Sequence, residues 1–216
     1  MLTDLLKWGG KRGDATGRGG DAPAPRDEPA VASKAFPKFV AAIAQRDAPV
    51  LLDLGPVIGS NVAFCGERLG CKLFIEDLLA DVDRQLRGKG GDLAASMPTR
   101  FSHGDATIDG ILCWDLFDFL DKPSSQALAV QIVRMLRPGG AVMGFFCTTG
   151  VERAPFTKFE IVDDHTLRHR YHPGVGGKKQ SLQNRDIIKM FDGLNVSDSF
   201  LLKSNTREIL LRKTAG

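Results

Sequence analysis

Three acidic side chains stand at places where a carboxylate could do chemistry. Asp53 ends the apolar run Val50-Leu51-Leu52 and, after Leu54, leads into the turn Gly55-Pro56-Val57-Ile58-Gly59. Glu76 closes a second apolar run at 71–75, and Asp115 follows a third at 110–114 that ends in Trp114. An apolar run that passes through a carboxylate into a glycine turn delivers the end of a buried parallel strand to a nucleotide-like ligand. In open α/β sheets that crevice is where ligands bind, and glycine lets a ligand approach the main chain closely. The same acids could instead cap the helices that follow them. His165, His169 and His172 are near one another but lie in a strand- or loop-like stretch without cysteine, so no metal site is expected.

The elements that must hold these residues can be read from periodicity. Phe36, Phe39, Val40 and Ile43 recur at helical spacing up to Asp47-Ala48-Pro49. A strand follows at 50–54, a helix at 60–69 ended by Gly70, a strand at 71–75 and a helix at 78–86. A short strand is predicted around Thr99-Arg100-Phe101, and a firmer one at 110–114. After Pro123 a helix places Leu128, Ile132, Met135 and Leu136 on one face, with Asp121 or Ser124 as its cap. Arg137-Pro138-Gly139-Gly140 turns the chain into a strand at 141–147. A helix near 185–191 precedes two strand-like runs, 196–202 and 207–212. The four residues between those runs permit only an antiparallel hairpin. The pattern predicts an α/β, Rossmann-like, doubly wound sheet of about seven strands, mostly parallel, with an antiparallel C-terminal hairpin.

Composition bounds the function. The 216 residues, 43% hydrophobic and 25% charged, suit one soluble domain. Residues 1–33 are rich in Gly and Pro and, from Gly9 on, nearly empty of large apolar side chains, so they are read as a disordered tail before a domain over 34–216. No membrane-spanning run or secretory core is present, and a cytoplasmic protein with four reduced cysteines is expected. The net charge of +3 argues against duplex nucleic acid as a partner. The stretch 164–186 gathers Arg168, Arg170, Lys178, Lys179 and Arg185 around three histidines. With its glycines, the region 151–183 could form a substrate lid.

With these pieces in order, the chain resembles the class I S-adenosylmethionine-dependent methyltransferases over most of residues 34–213. Asp53-x-Gly55-x-x-x-Gly59, Glu76, Asp109-Gly110-Ile111-Leu112 and Leu136-Arg137-Pro138-Gly139-Gly140 carry the resemblance, together with the closing hairpin. It implies a sheet ordered 3-2-1-4-5-7-6 with strand 7 antiparallel, S-adenosyl-L-methionine as cofactor, and methyl transfer to a small-molecule or other acceptor. It places the methionine part of the cofactor on the loop of Asp53, Gly55, Pro56 and Gly59, and the ribose hydroxyls on Glu76. Trp114 or Phe117 would face the sulfonium through cation–π attraction, and Asp115 would orient or deprotonate the acceptor. Arg168, Arg170 and Lys178 would recruit an anionic acceptor. No Pro-Pro-Tyr or Pro-Pro-Phe element follows 110–114, which argues against a DNA amino-methyltransferase. One departure is Val57, where the family usually has glycine; valine is poorly suited to positive φ. The alternative is a non-catalytic module that keeps the fold with a damaged cofactor loop. A nicotinamide dehydrogenase fits less well, because Gly55 and Gly59 do not give Gly-x-Gly-x-x-Gly.

Overall fold

In the computed structural model, residues 29–215 are described. Strands β1 (Ala30–Ala32), β2 (Val50–Asp53), β3 (Lys72–Ile75), β4 (Ile108–Trp114), β5 (Leu136–Cys147), β6 (Val151–Ile161), β7 (Thr166–Lys179), β8 (Leu194–Leu201) and β9 (Thr206–Lys213) form two sheets. The larger has the order β3-β2-β4-β5-β9-β8. Its first four strands are parallel, and β9 runs antiparallel to both β5 and β8. This is the order implied by the resemblance, less its outermost strand. The sheet therefore has six strands rather than about seven. The predicted strand at 99–101 is instead the end of helix α4 (Leu93–Arg100), whose buried Leu93 and Met97 are four residues apart and whose Asp92 caps Ala95 N at 3.1 Å.

Period-two alternation along the parallel strands builds a core on each face. Leu51, Leu112 and Met143 point to the side of helix α1 (Phe36–Ile43). Leu52, Ile111 and Val142 point to the side of α3 (Leu78–Leu86), α4 and α5 (Lys122–Met135). Asp121 caps α5 by accepting from Ser124 N at 2.8 Å. Helix α1 packs so closely on β4 that a Cβ at Gly110 would lie 2.4 Å from Ile43 Cδ1. The helix expected at 60–69 is a short α2 (Gly59–Ala63) running into a π-helical turn over Phe64–Arg68.

The second sheet, β1-β7-β6, is antiparallel throughout. Its β6–β7 hairpin occupies most of the region read as a lid. Phe156, Phe159, Ile161 and Leu167 are buried, while Lys158, Glu160, Arg168 and Arg170 remain partly or fully exposed. Strand β1 falls inside the segment expected to be a disordered tail, so order begins before residue 33. The rest of that expectation, residues 1–28, lies outside the described residues. Buried Glu208 of β9 ties β1 to α1, accepting from Ser33 Oγ at 3.1 Å, Lys34 N at 2.7 Å and Ala35 N at 2.8 Å. Helix α6 (Asn184–Met190) completes the fold. Among the described residues no helix is long and apolar enough to cross a membrane.

Candidate cofactor crevice

Strands β2, β3 and β4 all end at the same edge of the sheet. There the chain order reverses, since β3 lies on one side of β2 and β4 on the other. Such a switch point is where open α/β sheets leave a crevice.

Asp53, at the end of β2, is only 2% exposed. Its Oδ1 accepts from Gly55 N at 2.8 Å and from Trp114 Nε1 at 2.6 Å. Burial pushes the Asp53 carboxyl up to about 6, against the pull of those two hydrogen bonds. Gly55 is required by contact, because a Cβ there would meet Trp114 Cδ1 at 2.7 Å. Trp114 has φ +49°, in the left-handed region that non-glycine residues avoid. Such strain clusters at functional sites, at about 1–3 kcal/mol per residue. The register of β4 against β5 shifts between Leu112 and Trp114, and the indole turns onto Asp53.

That indole is the end ring in a stack of three. Trp114 and Phe159 lie 5.1 Å apart at 5°, and Phe159 and Phe145 lie 4.8 Å apart at 8°. Phe159 comes from β6, so the hairpin packs over the end of β4. Asn61 locks it there, donating to Phe159 O at 2.9 Å and accepting from Ile161 N at 2.7 Å. The loop at 55–59 has no residue at positive φ, and Val57 is 69% exposed. Valine therefore neither strains the loop nor fills the crevice.

Glu76, just past the end of β3, pairs through Oε2 with Arg100, while its Oε1 lies 4.0 Å from His103 Nε2. Asp77 caps α3 through Ala80 N at 3.1 Å. Neither Asp53 nor Glu76 lines either of the two hollows beside the loop. One, of about 200 Å³, is walled by Pro56, Asp77, Leu79, Ala80, Asp83, Phe156 and Lys158. The other, of about 380 Å³, is bounded by Val57, Ile58, Gly59, Ser60, Lys158, Glu160 and Arg170. Lys158 borders both.

Past β4, Asp115 Oδ2 meets Lys179 Nζ at 2.7 Å, while its Oδ1 is buried without a hydrogen-bond partner among the described residues. Asp118, fully buried, accepts from Cys147 N at 2.9 Å and lies 3.5 Å from the same ammonium. Burial pushes Asp118 up to about 7 despite Lys179. Burial pulls the Lys179 ammonium down, and the Asp115 and Asp118 carboxylates more than reverse that. Phe117 is in the core against Phe146 and Phe191, away from the crevice. Arg168 and Arg170 both pair with Glu160, and Lys178 pairs with Glu152 at the surface. The His169 ring packs edge-on to Phe159. Among the described residues no group of three or more His, Cys, Asp or Glu is placed to hold a metal ion.

The sequence reading missed Asn61, Lys158, Phe159 and Asp118, and read Lys179 only as one of several loop cations. A readable signal existed: Phe156, Phe159 and Ile161 interleave with Lys158 and Glu160, and only the four residues 162–165 separate them from the apolar-polar run at 166–170, the pattern of a hairpin.

No family model matches the chain, and no curated protein matches it in sequence. Several solved structures are similar. The PH0226 protein from Pyrococcus horikoshii OT3 is 12% identical at a TM-score of 0.49, the match covering 84% of this chain and 92% of that one. The Burkholderia thailandensis 1,6-didemethyltoxoflavin-N1-methyltransferase, solved with S-adenosylhomocysteine, is 16% identical at 0.48, covering 84% and 77%. A TehB-like SAM-dependent methyltransferase from Corynebacterium glutamicum is 16% identical at 0.47, covering 83% and 87%. S-adenosylmethionine-dependent methyltransferases are thus among the solved proteins to which this chain is similar.

Proposed function

We propose that the protein is an S-adenosylmethionine-dependent methyltransferase acting on a small-molecule acceptor, with its donor crevice covered by the β6–β7 hairpin. The observation that carries this reading is the convergence of the Gly55–Gly59 loop, Glu76 and Trp114 at the switch point of the sheet. The residues suit the donor. The hollow of about 200 Å³ combines apolar walls from Pro56, Leu79 and Phe156 with the Asp77 carboxylate, a setting for a flat amine-bearing base. Glu76 Oε1 is available for a ribose hydroxyl, and Asp53 is the acid nearest the loop that would take the amino-acid end. Bound there, the cofactor supplies an electrophilic sulfonium methyl.

The chain's own part is positioning and exclusion of water. Phe159 and Trp114 keep solvent from the crevice. Asp115 and Asp118, held by Lys179, keep buried carboxylate oxygens at the end of β4, where an acceptor proton could be taken.

A second reading, a non-catalytic module, is favoured by one observation: both acids are already engaged, Asp53 by Trp114 and Glu76 by Arg100. Titration calorimetry of the full chain with S-adenosylhomocysteine separates the two. Saturable binding at micromolar to sub-millimolar concentration is the expected result. Absence of heat even at millimolar ligand would remove the methyltransferase reading and leave the module.

A further inference from the structure

The outer face of the hairpin carries a charge imbalance at a concave place. Pairing of Lys158 with Arg170 and of Glu160 with Arg168 puts three cations and one acid on one side of the two strands. Glu160 Oε2 already accepts from Arg170 at 2.7 Å and Arg168 at 3.2 Å. Among the described residues Lys158 has no ion-pair partner. Its side chain borders the hollow of about 380 Å³ against the 57–60 loop. Two further features open that hollow to a ligand. Among the described residues Ser60 Oγ is buried with no hydrogen-bond partner, and, its chain neighbours and own helix backbone aside, nothing lies within 4 Å of where a Cβ on Gly59 would sit. Buried polar atoms are ordinarily satisfied, so an idle hydroxyl in the same hollow as an unpaired ammonium indicates a missing acceptor of hydrogen bonds, even with Glu160 also on the wall.

We propose that this hollow binds a carboxylate or phosphate group carried by the methyl acceptor, with Lys158 and Arg170 supplying charge and Ser60 a hydrogen bond. The site stands on the geometry alone; assigning its anion to an acceptor rests on the methyltransferase reading. A tetrahedral or planar oxyanion can take an ammonium, a guanidinium edge and a hydroxyl at once. Lys158 would then bring the acceptor's charged end beside the donor crevice, since it borders both hollows.

The test is titration of the full chain with inorganic phosphate, followed by calorimetry or amide chemical shifts. The expected result is saturable millimolar binding that Lys158→Ala weakens by about tenfold or more. Lys203→Ala, which removes the same charge from the turn between β8 and β9, is expected to leave it unchanged. No saturation at tens of millimolar, or equal weakening by both substitutions, would overturn the site. Repeating the titration with saturating S-adenosylhomocysteine identifies the anion's source. Undiminished phosphate affinity supports an acceptor, whereas competition would assign the anion to the donor's own carboxylate and overturn the acceptor. If S-adenosylhomocysteine does not bind, the methyltransferase reading and the acceptor assignment fail together, and the phosphate arm still decides the site itself.

Discussion

Phe159→Ala is expected to lower stability by about 3–5 kcal/mol, the cost of deleting a buried aromatic side chain and leaving a cavity. The ring is 4% exposed and stacked on both faces, so neither neighbour can collapse fully into its place. For a domain of this size that corresponds to a melting temperature lower by roughly 6–20 °C, readable by calorimetry or circular dichroism. The same change has a second expected effect. Phe159 stacks on Trp114 and keeps the hairpin over the crevice, so its removal should admit water and weaken S-adenosylhomocysteine binding at temperatures where the variant is folded. A loss below about 1 kcal/mol with unchanged affinity would show that the hairpin does not seal the crevice.

Asp53→Asn is expected to stabilise the protein at neutral pH while weakening donor binding. The folded state holds the Asp53 proton up to about pH 6, whereas a free carboxyl releases it near 3.8. The advantage of the neutral form is thus complete below pH 3.8 and is lost as the pH rises to and through 6. Above that the buried carboxylate costs about 2–3 kcal/mol. Asparagine keeps an oxygen for Gly55 N and Trp114 Nε1 without the charge. Denaturant titrations should find the variant more stable than the wild type by about 1–3 kcal/mol at pH 8, and no more stable below pH 4. A variant less stable at pH 8 would mean that the ionised carboxylate is favoured where it sits. A buried carboxylate that costs stability at the switch point of a sheet is a mark of function.

Much of this was legible in the sequence because buried parallel strands announce themselves as short apolar runs. The runs at 50–54, 71–75 and 110–114, the Asp121 cap and the terminal hairpin all follow from local pattern. Helix α4 was not legible, because Pro98 reads as a breaker and obscured the four-residue spacing of Leu93 and Met97. Asp53 and Glu76 could be found as strand-end acids, but their engagement by Trp114 and Arg100 could not. Those contacts join residues 61 and 24 positions apart, and the first depends on a left-handed tryptophan that no pattern foretells. The hairpin was read as a loose basic lid because its charges are conspicuous. Phe156, Phe159 and Ile161, which bury it, are fewer, and their spacing departs from strict alternation.

The most direct test is amide hydrogen exchange of the full chain with and without saturating S-adenosylhomocysteine. A donor held at the switch point should slow exchange in two separated segments together, residues 54–60 and 76–80, the loop after β2 and the entrance to α3. Unchanged exchange in both segments, or protection confined to some other part of the protein, would contradict the placement of the donor beneath the hairpin.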